Sequence, residues 1–192
     1  MKKFVWQFLN LLNKYIAKPR MVLGYTSFDG TYLAKTRISN TVNIVNPENL
    51  NIADNVFIGH YNILDASNRI TIGEGCQISN FISILTHSSH QSVRLYGKHY
   101  IQYNGRHKGY ITGEVIIGKY TFIGAHSLVM PGSKIGKGSL VTAYTLVKGE
   151  FPDFAIIAGN PAQVVGDTRV KDSKLLNEYP ELAEYYTEWA ND

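Results

Sequence analysis

Aliphatic residues recur along the middle of the chain with a period of six. Ile117, Ile123, Val129, Ile135, Val141 and Val147 follow one another without a missed step, and four residues after each of the first five stands a small hydroxyl residue: Thr121, Ser127, Ser133, Ser139 and Thr145. The same step runs earlier through Ile38, Ile44 and Leu50, then Ile52, Ile58, Leu64 and Ile70, and, shifted by two, through Ile72, Ile78 and Ile84. Each shift predicts an irregular corner. A helix face repeats every ~3.6 residues and a half-buried strand every ~2, so neither accounts for six. Stacked coils do, with the aliphatic residues pointing inward and the hydroxyl residues filling the tighter inner corners. Gly59, Gly73, Gly118, Gly124 and Gly136 directly follow aliphatic positions, where a residue without Cβ turns cheaply. The predicted fold is β-dominated, a parallel β-helix of hexapeptide repeats over residues 37–166.

Two segments break the period. Residues 85–114 hold four of the six histidines, with Arg94, Lys98, Arg106, Lys108 and several tyrosines, and an unrepeated stretch of that length predicts a functional loop. The tail, residues 167–192, carries Leu175, Leu176, Tyr179, Leu182, Tyr186 and Trp189, which predicts a helix interrupted or restarted at Pro180 with an apolar packing face. Residues 1–36 form a third region, a short helix and lead-in. Phe4, Phe8, Leu11, Leu12 and Tyr15 recur there at helical spacing, for packing on the body or a neighbouring subunit. The other use of residues 1–20 is peripheral membrane contact, with Lys2, Lys3, Lys14, Lys18 and Arg20 meeting anionic lipid. Gln7, Asn10 and Asn13 interrupt the apolar run, against a signal peptide or a bilayer span.

Composition narrows the function classes. The 192 residues suit one domain, and the net charge of +4 comes from scattered basic residues, which argues against nucleic-acid binding. A single cysteine, Cys76, excludes an intrachain disulfide and a cysteine-based zinc cluster, and fits a cytoplasmic protein.

The IG-x4 repeats, the closing GNPA at 159–162 and the histidine-bearing loop between coils together resemble the hexapeptide-repeat acyltransferases over roughly residues 50–166. The likeness is greatest to the galactoside and maltose acetyltransferase branch, with its relatives that O-acetylate surface polysaccharides. The resemblance implies a left-handed β-helix, a homotrimer with active sites between neighbouring prisms, and acetyl-CoA as co-substrate without a metal. Thr86-His87 matches the family's Thr-His at the coil-to-loop junction, making His87 the candidate base and His90 the reserve. The resemblance also implies a coenzyme A groove along Phe122, Gly124, Ala125, Ala143, Lys148, Gly159 and Pro161, with backbone N–H groups near Ala125 meeting the oxyanion. Three departures weaken the phosphate contacts: Phe122 replaces the usual Trp, the cation stands at Lys148 one position early, and Gln163 replaces a basic residue, with Arg169 the nearest substitute. The loop residues Arg94, Tyr96, Lys98 and Tyr103 are candidates to grip a sugar or polysaccharide acceptor by charge and stacking.

The leading expectation is O-acetylation of a sugar hydroxyl by direct transfer. Three other readings stay open at this point: N-acetylation of an amino sugar; a γ-type carbonic anhydrase using His60, His87 and His90 around zinc; and a non-catalytic scaffold.

Overall fold

A computed structural model describes residues 5–9, 12 and 18–191. Three parallel sheets enclose a prism. The first face stacks Tyr32–Ser39, Phe57–Ile58, Gln77–Ile78, Phe122–Ile123, Leu140–Val141 and Ala155–Ala158. The second stacks Asn43–Val45, Ile63–Asp65, Ser83–Leu85, Leu128–Val129 and Leu146–Val147, and the third Leu50–Ile52, Ile70–Ile72, Val115–Ile117, Lys134–Ile135 and Glu150–Phe151. Residues of the six-step rows are register partners: Ile58, Ile78, Ile123, Val141 and Ile157 lie above one another on the first face. All five are buried.

The hydroxyl residues also point inward, where they tie coil to coil. Thr121 donates to the Gly136 carbonyl at 3.0 Å, Ser127 to Thr142 at 3.0 Å and Ser139 to Pro152 at 3.3 Å. The two-residue shift falls on a face, not at a corner. In Leu50–Ile52, Ile70–Ile72 and Val115–Ile117 both end residues are buried, while Asn51, Thr71 and Ile116 turn outward. A three-residue strand lengthens the coil to 20 residues, as from Ile58 to Ile78, against 18 from Ile123 to Val141.

Two additions flank the prism. Met21–Thr26 pairs antiparallel with Tyr32–Ser39, so the lead-in holds a hairpin that the periodicity does not announce. At the other end, Gln163–Asp167 folds back antiparallel on Ala155–Ala158, followed by helices Arg169–Glu178 and Ala183–Ala190 around a short turn at Pro180–Leu182. Trp189 docks this tail on the corner between the third and first faces, with ring centroids 4.6 Å from Tyr120 and 5.8 Å from Phe154. Gly75 and Gly138 make that docking feasible, since a Cβ on either would collide with the rings of Tyr120 or Phe154. Leu175 and Leu182 stay exposed, so the tail's apolar surface is only partly used.

Residues 5–9 and 12 are helical. Phe4, Leu11 and Tyr15 of the expected stripe, with Lys2, Lys3 and Lys14, lie outside the described residues. Among the described residues no helix is long and apolar enough to cross a membrane.

Ile123 faces the core and Phe122 faces out from the same strand. Ile123→Ala should lower unfolding free energy by about 2–5 kcal/mol and Phe122→Ala by less than about 1.5 kcal/mol. Urea-denaturation midpoints check the difference.

Candidate active site

The chain leaves the prism just after Ser83–Leu85. Thr86 is fully buried; its hydroxyl donates to the Asp65 carbonyl at 2.7 Å and accepts the Asn68 N–H at 2.8 Å. So anchored, it delivers His87 to the surface at a fixed place. His87–Ser88 then pairs antiparallel with Ile111–Thr112, which closes the base of the loop.

The His87 ring is 30% exposed and its Nδ1 lies 3.1 Å from Asp65 Oδ2. The angle is not that of a hydrogen bond, and Nδ1, fully buried, has no aligned partner among the described residues. The carboxylate thus faces Nδ1 closely without an aligned hydrogen bond. Asp65 is itself fixed, its Oδ1 accepting the Ser67 hydroxyl at 2.6 Å and the Ser67 N–H at 3.1 Å. Tyr110 lies parallel over the imidazole at 5.5 Å, and Nε2 has no partner among the described residues. An imidazole held by a carboxylate behind Nδ1 and open at Nε2 is arranged to take a proton at Nε2. Sequence reasoning misses Asp65. The signal for it is coil arithmetic: Asp65 pairs with Leu85, two residues before His87.

The corner between the first and second faces carries a second constellation. The register of Ile123, Val141 and Ile157 places Ala125, Ala143 and Gly159, each two residues further on, one above another. They make a column of small residues beside Gly124, whose missing Cβ leaves room for the backbone of Ala143. The Ala125 and Ala143 N–H groups have no acceptor among the described residues. One residue further along, Tyr61, Phe81, His126 and Tyr144 form a ladder of parallel rings 4.9–5.1 Å apart. All four have φ between 59° and 61°, a left-handed conformation that costs roughly 1–2 kcal/mol for a residue with a side chain. The column is thus a small-residue strip with a ring wall on one side and the exposed Phe122 on the other.

No protein-family model matches the chain. A putative acetyltransferase of Bacillus subtilis, YvoF, is 45% identical over 56 residues, covering 29% of this chain and 33% of that one. A mutant of AntD, an N-acyltransferase of Bacillus cereus, solved with dTDP and coenzyme A, superposes with a TM-score of 0.55 at 27% identity, covering 76% of this chain and 88% of that one. A galactoside acetyltransferase in complex with coenzyme A superposes with a TM-score of 0.56 at 23% identity, covering 69% and 62%. In sequence the chain is thus similar to proteins named acetyltransferases, and in fold to acyltransferases that bind coenzyme A. Its prism is accordingly a left-handed β-helix. The matched stretches span only 33%, 42% and 61% of the first curated relatives.

The geometry redistributes several of the residues expected in this acyltransferase fold. Lys148 follows Leu146–Val147 and, through the pairing of Val129 with Val147, shares an outward column with Met130, Leu85 and Asp65. It stands on the His87 edge of the second face, away from the strip of Ala125, Ala143 and Gly159. The strand Leu146–Val147 separates them, Ala143 preceding it and Lys148 following it. Pro161 is exposed beside Gly159. In the loop, Tyr96 and Tyr103 pack on each other at 4.7 Å and on His107 at 4.8 and 5.3 Å. The two tyrosines thus pack with His107 within the loop, Tyr96 half-buried and Tyr103 still 44% exposed. Arg94 donates to the His90 carbonyl at 2.5 Å, Lys98 is exposed, and His90 is exposed with Nδ1 2.8 Å from Ser88 Oγ. The zinc set expected of a carbonic anhydrase is not assembled within the chain: His60 turns to Ser39 Oγ at 2.6 Å, and no three potential ligands converge among the described residues.

Cys76 occupies the small-residue slot of its coil, its thiol donating to the Gly118 carbonyl at 3.0 Å. Burial pushes its pKa up to about 11, so it is a protonated core residue at neutral pH. Iodoacetamide at pH 8 should leave Cys76 unmodified in the folded protein and label it fully in urea, as mass spectrometry would show.

Proposed function

We propose that this protein transfers an acetyl group from acetyl-CoA to a hydroxyl of a sugar or surface-polysaccharide unit, with His87 as general base. The observation that carries the reading is the His87 imidazole, set between Asp65 and Tyr110 with Nε2 open. Acetyl-CoA supplies the thioester whose carbonyl is attacked. His87 Nε2 takes the proton of the acceptor hydroxyl as its oxygen bonds to that carbonyl carbon. The C–S bond then breaks, and the proton passes from Nε2 to the departing sulfur. Asp65 keeps the ring oriented and balances its positive charge. The Ala125, Ala143 and Gly159 strip fits a thin pantetheine arm, and the unpaired N–H groups of Ala125 and Ala143 are suited to polarising a carbonyl. Gly124 keeps that strip shallow, Phe122 flanks it, and Pro161 closes its far end. On this reading the reaction takes place in the cytoplasm, where acetyl-CoA is available.

The base and the strip lie on opposite edges of the second face, which supports a homotrimer in which His87 of one copy meets the strip of the next. From Tyr61 to Asp65, across that face, the chain spans about 13 Å, too far for one copy to align both on a single carbonyl. A second reading, N-acylation of an amino sugar, draws on the likeness to AntD. The same base serves either acceptor atom.

Thiol release from acetyl-CoA should depend on an added saccharide and fall by on the order of 10²- to 10⁴-fold in His87→Ala. Asp65→Asn should lower kcat by at least about 10-fold with the KM for acetyl-CoA little changed. Mild alkali should strip the product's acetyl group if oxygen is acylated and leave it if nitrogen is. Sedimentation should give a trimer mass. Undiminished release in His87→Ala removes the base assignment, and no release with any saccharide removes the reaction.

A further inference from the structure

A cleft lies one corner away from His87. The strand Tyr32–Ser39 pairs with the first face only through Arg37 and Ile38. Its earlier half overhangs, so the hairpin tip at 27–31 reaches the third face. Between the tip and the strands Leu50–Ile52 and Ile70–Ile72 is a cleft of about 480 Å³, within the ~300–1,000 Å³ usual for small-ligand sites. The tip is a firm wall. Asp29 Oδ1 accepts the Ser27 hydroxyl at 2.5 Å and the Thr31 N–H at 3.0 Å.

The chemistry of the lining selects its ligand. Asn51 and Thr71 are register partners on the third face and, with Arg69, have no side-chain partner among the described residues. Glu48 uses one oxygen to accept from Asn46 at 3.1 Å and offers the other. Phe28, at the lip, is 69% exposed. Arg69 stands against two carboxylates, Asp29 and Glu48, so the cleft has no surplus positive charge to anchor a phosphate or carboxylate. It offers closely spaced donors and acceptors together with one free aromatic face. That combination suits a group bearing several neutral hydroxyls on one side and C–H bonds on the other.

We propose that this cleft is a subsite for an uncharged sugar unit of an extended acceptor, remote from the unit acetylated at His87. The proposal rests on the reading of the acceptor as a saccharide. Cleft and base are joined through one corner. Asp65 and Arg69 are four residues apart, at most about 14 Å along the chain, and the Asn68 amide donates to the carbonyl of Thr86, the residue before His87, at 3.1 Å. A single sugar does not bridge the two places; an oligosaccharide does.

The test uses the full-length protein with glucose, maltohexaose, lacto-N-tetraose and sialyllactose as probes, and with Arg69→Ala and Phe28→Ala as variants. Both substitutions are at the surface, and circular dichroism checks that folding is intact. Saturation-transfer NMR should detect a neutral oligosaccharide on the native protein, with affinity reduced about tenfold in either variant. Glucose, filling at most one subsite, should bind too weakly to separate the three proteins. Equal oligosaccharide binding by native and variant proteins overturns the subsite, as does binding of sialyllactose alone or of none of the probes. Because binding is read without acetyl-CoA, the two readings separate. Cleft-dependent binding without thiol release would sink the reaction and keep the subsite. Sugar-dependent thiol release with unchanged binding in both variants would do the reverse.

Discussion

One coil of this chain cannot bury its own aliphatic residues. Ile58 is covered only because Ile78 lies above it, and Ile78 because Ile123 lies above that. Burial on each coil is thus conditional on register with the next, and the hydroxyl side chains inside the corners fix that register by bonding to carbonyls of the neighbouring coil. Roughly 1.5–3 kcal/mol is gained for each aliphatic side chain fully buried, but no coil obtains it alone. Cooperative stacking is the constraint from which the other features follow.

Both halves of the candidate site are read out of that register. Asp65 faces His87 because the coils there are 20 residues long, which sets Asp65 beside Leu85. Ala125, Ala143 and Gly159 align because the later coils are shorter, 18 residues and then 16 from Val141 to Ile157. A residue inserted between Asp65 and Leu85 would break the first alignment while leaving the second intact. The two corners beside the first face also differ. Trp189 covers the rings on one, whereas the Tyr61–Phe81–His126–Tyr144 ladder on the other is left bare, with Tyr144 73% exposed.

The repeat was plain in the sequence because its inward positions are filled by one residue class at a constant interval, and His87 was legible because the interval stops there. Other features were hidden for definable reasons. Asp65 is an ordinary loop-edge residue until coils are counted, and the ladder rings are separated by 20, 45 and 18 positions, with the loop falling inside the longest gap. The surroundings of Tyr96, Tyr103 and Lys148 were likewise hidden, because they depend on which coil or loop side chains come together. Tyr96 and Tyr103 pack around His107, and Lys148 stands at the opposite edge from Ala143 because the strand Leu146–Val147 lies between them. The N-terminal hairpin is set by antiparallel pairing, to which a six-residue period is blind.

The ribbon formed by His87–Ser88 and Ile111–Thr112 brings the two ends of the loop together before the chain re-enters the prism at Val115–Ile117. Everything beyond the ribbon is topologically a cassette. Its length and sequence can change without transmitting strain to the stacked coils, since the mouth through which it leaves has a fixed width. Diversification of such a protein therefore has a natural seam. The scaffold, its histidine and the Tyr110 ring beside it can be inherited unchanged while the excursion between residues 89 and 109 is rewritten.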